Sequence, residues 1–344
     1  MKVLICHDPE RPIHSTDWTL GWVKYCKENG IDYEMAHLQR CDAMEKLKGF
    51  DALLWHFGNY NYEEMLEARS ILYSAAKMGL KVFPLFNETW HFDDKVAEMY
   101  VLQAIGAPIP KSRVFYHLND LKEAINRGEI AFPVVAKLRI GSGSHNVKLL
   151  KSRGALLRYG RRMFGRGFKP APSLLYKTSS NIRSSHDWAT VKKKFHRIPE
   201  FLRTLAGARK FPREKGYVYL QEFIPNDNFD MKVMVIGDKC SGFWRPVRSH
   251  DFRASGGGGF NDDASVFTPQ IIKSAFAAAD TLGMRCVGFD YVLDKRTGEG
   301  KIIEMSYGCG HELDGIGGYY DRNCQWHPNT ITIAEETIKN LLNE

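Results

Sequence analysis

Residues 286–306, CVGFDYVLDKRTGEGKIIEMS, constrain this chain more than any other stretch. Val287 to Leu293 is apolar and β-branched or aromatic, 294–300 carries turn chemistry, and Lys301 to Met305 returns as a strand. Two carboxylates, Asp290 and Glu304, interrupt the apolar runs. A hairpin centred on Thr297 sets them opposite each other. Period-2 alternation then predicts Asp290, Glu304 and Ser306 on one face, with Phe289, Tyr291, Ile303 and Met305 on the other. Like charges so placed repel, and a carboxylate among apolar neighbours is costly unless paired. A hard divalent cation such as Mg²⁺ removes both costs and takes oxygen ligands. An exposed, charged hairpin is the other reading of these residues, and the apolar flanks weigh against it.

The remaining 323 residues of the 344 are enough for two or three domains with real cores. No apolar run approaches the ~20 residues needed to span a bilayer, and MKVLICHDP turns polar too soon for a signal peptide. Seven cysteines without CxxC spacing fit a reducing compartment, which predicts a cytoplasmic protein. Charge is uneven. Residues 148–215 hold 19 Lys and Arg against three Asp and Glu, a net +16, whereas the whole chain carries +8. Such a segment is either a solvated basic face or a contact for an anionic partner: a small molecule, a carrier, a glycan or a membrane surface. Arginines interleaved with aromatics also suit nucleic acid, which ranks lower because no nucleic-acid motif accompanies them.

Along the chain, residues 1–90 alternate strand and helix: MKVLIC, a helix capped by Ser15 or Thr16, IDYEMAHL, DALLWHF, a helix over 62–78, and KVFPLF. This predicts a parallel α/β unit with Trp18, Trp22 and Trp55 in its core or at its interface. No glycine-rich turn follows the first strand, so a dinucleotide fingerprint is excluded. A helix opens at Asp93–Asp94 with Lys95 in its first turn. The strand FPVVAKLRI carries Lys137 and leads into GSGSHNV, residues 141–147. A lysine at a strand end followed by Gly141, Ser142, Gly143 and Ser144 suits a triphosphate, through close backbone N–H groups and a point charge. An ordinary hairpin turn has the same composition. A helix is expected over 188–205, with the KKK run 192–194. YVYLQEFIP and the pair FDMKVMVIGDKCSGFWRPVRS read as strands, with Gly237–Asp238 as a turn. Arg245, Arg248 and Arg253 crowd near the glycine run 256–259. A helix over 269–282 follows, and after the opening hairpin residues 307–328 read as irregular loop, with substrate character. Cys309, His311, Cys324 and His327 in that stretch are zinc-ligand types at a spacing that matches no common zinc module.

With these pieces placed, the chain resembles the ATP-grasp superfamily, in particular its carboxylate–amine ligases: the ribosomal-protein glutamate ligases, glutathione synthetase and the D-alanine–D-alanine ligases. The resemblance covers nearly the whole length. It implies a pre-grasp α/β domain over 1–92, a small α+β lobe over 93–216 with the basic insertion about 148–215, and a large α+β lobe over 217–344, the two lobes clamping ATP. Lys95 and Lys137 match the nucleotide lysines, and residues 141–146 the phosphate loop. Gln221, Glu222, Phe223 and Ile224 resemble the hinge, whose Glu222 and Ile224 backbone groups would read the adenine edge. Asp230 would lie near the ribose and Lys232 near the phosphates or substrate. Asp290, Glu304 and Ser306 match the magnesium ligands. Ser306 stands where the family usually has Asn, a departure that bears on whether one or two Mg²⁺ bind. Arg253 is similar to the arginine before the family's glycine-rich stretch.

The resemblance implies that a carboxylate substrate takes the γ-phosphate of MgATP to give an acylphosphate, which an amine converts to an amide. Phosphoryl transfer needs charge neutralisation and positioning more than covalent help, which Mg²⁺, the lysines, Arg253 and Arg245 would supply. No general base stands out; His311 and Asp314 are the candidates. The substrate would be an anionic metabolite, or a carrier-linked or cell-surface glycan acid docked through the basic segment. The alternative is an ATP-binding protein of the same fold without ligase activity.

Overall fold

The computed structural model describes residues 1–8, 18–59, 62–141, 146–170, 212–226, 228–246, 261, 263–308 and 317–343. They form three sheets. The first holds β1 (Lys2–Cys6), β2 (Asp32–Ala36), β3 (Ala52–Trp55) and β4 (Lys81–Phe83), all parallel in the order β2-β1-β3-β4. Parallel neighbours need crossovers, which α1 (Thr19–Glu28), α2 (Ala43–Lys46) and α3 (Tyr62–Lys77) supply. Both faces of the central strands are covered, so Val3, Leu4, Ile5, Leu53 and Leu54 are fully buried. Trp18, Trp22 and Trp55 are buried with them. A short helix, α4 (Phe86–Thr89), leaves this unit.

The second sheet is antiparallel. It contains β5 (Ser112–Phe115), β6 (Val134–Lys137), β7 (Val147–Leu150) and β8 (Val218–Glu222) in the order β5-β8-β6-β7. Three helices, α5 (Lys95–Ala104), α6 (Leu118–Asn126) and α7 (Arg153–Phe164), cover one face. Met99, Leu121, Ile125, Leu156 and Met163 pack there against Val134, Ala136, Val218 and Leu220. Asp94 caps α5, its carboxylate accepting from Val96 N and Ala97 N at 3.1 and 2.9 Å. β8 opens the segment expected as the third domain, yet it hydrogen-bonds into this second sheet, so the chain crosses between sheets after Glu222.

The third sheet has the order β12-β11-β9-β10-β13-β14, with every neighbour antiparallel. Its strands are β9 (Phe229–Ile236), β10 (Lys239–Pro246), β11 (Cys286–Leu293), β12 (Gly300–Ser306), β13 (Tyr319–Tyr320) and β14 (Trp326–His327). One face packs under α8 (Pro269–Leu282), where Ile272, Ala275 and Phe276 join a core with Met231, Val233, Val235, Phe289, Tyr291 and Ile302. The opposite face of β9 presents Asp230, Lys232, Met234 and Ile236 in turn. Met234 and Ile236 join the core formed by the first sheet, α1 and α9 (Ile333–Asn343). One face of one strand therefore changes from charged to apolar along its length, and its charged end holds the candidate site.

Two expectations are corrected. Residues 319–327 are not irregular. Tyr319 pairs with His327 and Tyr320 with Trp326, around a turn in which Asp321 Oδ1 accepts from Asn323 N and Gln325 N, both at 2.9 Å. In the 286–306 hairpin, Ile303 does not share a face with Tyr291. Asp290 faces Glu304 as expected, but the register then shifts and Tyr291 faces Ile302. Ile303 is the extra residue of a bulge, and Ile302 takes the fully buried place.

Among the described residues, no helix is long and apolar enough to cross a membrane. Several expected features lie outside the described residues: the caps Ser15 and Thr16, Ser142, Gly143 and Ser144, the 188–205 helix with its KKK run, Arg248, Arg253, the glycine run 256–259, Cys309, His311 and Asp314. The zinc reading loses two of its four residues in this way. The other two have local partners: His327 Nε2 is 3.1 Å from Asp321 Oδ2, and Cys324 Sγ is 3.9 Å from the Pro269 carbonyl.

Candidate active site

Four neighbouring strands put charged side chains in a row. Across β10, β9, β11 and β12, Arg245 faces Asp230, Lys232 faces Asp290, and Asp290 faces Glu304. Ser306 lies two residues beyond Glu304, opposite Gly288. Lys232 Nζ is 2.5 Å from Asp290 Oδ1, and Arg245 Nη2 is 3.7 Å from the same oxygen. Burial would raise the Asp290 carboxyl, but Lys232 and Arg245 outweigh it and hold the group below the usual carboxylate range.

Asp230 does not face outward as a ribose ligand would. It is fully buried, and both its oxygens engage Arg245, through Nε at 3.2 Å and through Nη2. Burial pushes Asp230 up to about 6 even so. Its place in the fold is to orient the Arg245 guanidinium toward Asp290.

The second and first parts of the chain close the site from the other side. Lys95, at the start of α5, is almost fully buried, with Nζ 3.1 Å from Glu304 Oε1 and 4.0 Å from Asp93 Oδ1. Its Nζ also donates to the Gly141 carbonyl. Burial opposes its charge, but Glu304, Asp93 and Glu98 raise its pKa above the ordinary lysine value. Lys137, at the end of β6, donates from Nζ to the Ile303 carbonyl at 2.8 Å. The bulge thus has a consequence for the site: the residue it displaces from the apolar face is the one that receives Lys137. Burial, reinforced by Lys95, drives Lys137 down to about 8.

Glu98 was not singled out by sequence. It sits one turn after Lys95 on the buried side of α5, and its Oε2 accepts from Met305 N at 3.3 Å. Burial raises its carboxyl well above the usual range. An acidic residue three positions after a candidate phosphate lysine was the available signal.

The hinge residues divide by chemistry. The Gln221 amide nitrogen points into the second sheet, 3.3 Å from Ser112 Oγ and 3.2 Å from the Tyr219 hydroxyl. Glu222 N donates to the Lys111 carbonyl at 2.8 Å, so an adenine contact from Glu222 would have to come from its carbonyl. The Glu222 side chain accepts from Arg296 Nη2 at 2.9 Å. Ile224 packs with Val292 and Ile303, an apolar patch beside the strands that carry Asp290 and Glu304. Phe223 lies between them at the exit of β8, and Gly141 is the one described residue of the expected glycine and serine loop.

The donor set fits magnesium. Asp290 and Glu304 offer only carboxylate oxygens from adjacent strands, with the Ser306 hydroxyl next along, which is hard-cation chemistry. Each carboxylate already faces a lysine ammonium, so the site is built to set positive charge against this pair.

No protein-family model matches the chain, and no curated protein sequence matches it. Solved structures do. A RimK domain ATP-grasp protein from Sphaerobacter thermophilus is 16% identical, with 99% of this chain and 100% of that chain covered at a TM-score of 0.54. D-alanine–D-alanine ligase from Bacillus anthracis, complexed with ATP, is 14% identical, with 90% and 86% covered and a TM-score of 0.52. The biotin carboxylase domain of Hydrogenobacter thermophilus 2-oxoglutarate carboxylase, complexed with MgADP, ADP and bicarbonate, is 14% identical, with 100% and 70% covered and a TM-score of 0.61. The fold of this chain is the ATP-grasp fold.

Proposed function

We propose that the protein is an ATP-dependent carboxylate–amine ligase. The observation that carries this reading is the opposed pair Asp290–Glu304, ringed by Lys95, Lys137 and Lys232 where the second and third sheets meet. Magnesium-bound ATP would supply the phosphoryl group that converts a carboxylate to an acylphosphate, which an amine turns into an amide with release of phosphate.

The chain's own residues supply positioning and charge. Asp290 and Glu304 would hold one Mg²⁺, with the Ser306 hydroxyl as a further, weaker ligand for a second. Lys95 and Lys137 would move from Glu304 and the Ile303 carbonyl onto phosphate oxygens, with Gly141, Ser142, Gly143 and Ser144 covering them. The hinge carbonyl of Glu222, with Ile224 and Phe223, would hold the adenine, while Arg245, Lys232 and Arg253 steady developing negative charge. The related solved structures named with ATP or MgADP support nucleotide binding on this fold. We place the reaction in the cytoplasm, a reading supported by six free cysteines among the described residues.

A second observation bears on the acid substrate. α7 and the residues after it carry Arg153, Arg158, Arg161, Arg162 and Arg166, and none has a carboxylate partner among the described residues. We assign this face to an anionic part of the substrate, such as a carrier or glycan. Heparin retention or binding to anionic vesicles should weaken by about tenfold in R158E/R161E; unchanged binding removes the docking role.

ADP release over panels of carboxylic acids and amines tests the main reading. Turnover that requires one acid and one amine together supports it. ATP binding without any substrate-stimulated turnover would favour the alternative, a nucleotide-binding protein of this fold without ligase activity.

A further inference from the structure

The three residues Asp93, Asp94 and Lys95 hold residues 139–141, just after β6, at several points. Lys95 N donates to the Arg139 carbonyl at 3.0 Å, and Arg139 Nη1 donates to Asp94 Oδ2 at 2.7 Å. At Gly141 the grip is double: its N–H donates to Asp93 Oδ1 at 3.1 Å, and its carbonyl accepts from Lys95 Nζ. Asp93 also receives Asn59 Nδ2 at 3.4 Å, from the loop that follows β3 of the first sheet. Asp93 is 7% exposed and adopts a left-handed backbone, φ 57°, unusual for a residue with a side chain.

We infer that Asp93 is a positioning residue for nucleotide binding: its carboxylate fixes the first residue of the phosphate loop and ties that loop to the first domain through Asn59. The carboxylate meets the loop through its backbone. It acts through the Gly141 amide, so that the loop leaves β6 along one path and Lys95 stays aimed between Gly141 and Glu304. The left-handed backbone of Asp93 turns the carboxylate toward Gly141, while its neighbour Asp94 turns away to cap α5. Two adjacent acidic residues thus serve opposite ends of one junction. The inference rests on the ATP reading above.

The backbone offers a clean test. Glycine adopts φ 57° without strain, so Asp93→Gly removes the carboxylate while easing the main chain. Asp93→Asn keeps an oxygen that can accept from the Gly141 amide. The expected result is an ATP dissociation constant raised by about tenfold in D93G, a melting temperature close to wild type, and affinity restored to within about threefold in D93N. Amide exchange at Gly141 should be fast in D93G and slow in wild type and D93N. D93G with wild-type ATP affinity and a protected Gly141 amide overturns the inference, as does D93N that binds as weakly as D93G. Wild-type protein that fails to bind ATP overturns the ATP reading instead, and Gly141 exchange still reports on the clamp.

Discussion

Asp290 and Glu304 stand directly opposite each other on β11 and β12, yet their counter-charges come from distant parts of the chain. Lys232 of the same sheet answers Asp290 at 2.5 Å, and Lys95, from the helix that covers another sheet, answers Glu304 at 3.1 Å. Folding the third sheet alone would give Asp290 its Lys232 and Arg245 and leave Glu304 without Lys95. Docking of α5 completes the neutralisation, so the site forms only when the sheets come together.

This asymmetry separates two variants that look alike in sequence. Glu304 is 25% exposed at its side chain, and Gln in its place still accepts from Lys95. Glu304→Gln should keep the unfolding midpoint near wild type and lower ADP release by at least about 100-fold, because a metal carboxylate is lost. Asp290 is 8% exposed and faces both Lys232 and Arg245. Asp290→Asn should therefore also cost about 3 kcal/mol of stability, since it removes the buried carboxylate that Lys232 faces, while Arg245 keeps Asp230. Denaturant titration beside the ADP assay checks both, and full activity in E304Q would remove the metal site from this hairpin.

Much of this was legible in the residues. A count from Thr297 sets Asp290 against Glu304, the pairing observed, although the pairs nearer the turn, Leu293 with Gly300 and Val292 with Lys301, run one residue out of that count and the bulge at Ile303 restores it. The bulge at Ile303 answers to Lys137, which arrives from another sheet, and local pattern carries no trace of it. The partner of Asp230 is hidden from the sequence for a similar reason. Its acidic-x-basic spacing places it on the right face, but only the neighbouring strand shows that Arg245 takes both its oxygens. Asp93 was visible as a residue and not as a conformation, since a left-handed aspartate has no signature beyond its turn propensity.

Lys137 gives the candidate site a pH dependence with a definite sign. Burial lowers it from 10.5 to about 8. Below pH 8 the cost of burying its charge is present in full, and stability rises between about pH 8 and 10.5 as the folded state sheds the proton first. Nucleotide affinity should move the other way. Above about pH 8 the free site has lost one positive charge, so ATP affinity should fall by up to about tenfold per pH unit. Lys137→Arg should stay charged and flatten the profile while still binding; Lys137→Met should bind weakly at every pH. Isothermal titration from pH 7 to 9.5 measures this, and a flat wild-type profile would contradict it.

Away from the site, Glu88 joins the first sheet to the third. It is fully buried, with Oε1 accepting from Arg285 N at 2.7 Å and Oε2 from Leu85 N at 2.6 Å and Arg285 Nη2 at 2.7 Å. Arg285 Nη2 also donates to the Val82 carbonyl at 2.7 Å. Glu88→Ala takes the buried carboxylate away from the Arg285 guanidinium and from two backbone N–H groups, so it should cost about 3 kcal/mol. A urea midpoint within error of wild type would show that the junction does not depend on this carboxylate.

Gly141 allows strain and clash to be told apart. Its φ is 133°, and a Cβ built there would lie 2.2 Å from Asn146 Nδ2, the atom that donates to the Ile140 carbonyl at 2.8 Å. Gly141→Ala should therefore break the Asn146–Ile140 bond and force the loop entry off its path, weakening ATP binding by about tenfold or more. Adding Asn146→Ala makes room for the methyl group but leaves the backbone in a region that alanine avoids. The double variant should thus recover part of the lost affinity and not all of it, with a residual cost of about 1–3 kcal/mol from the backbone. Complete recovery would assign the glycine requirement to space alone. No recovery would assign it to φ alone, and wild-type affinity in the single variant would mean that the path of the loop entry does not govern nucleotide binding.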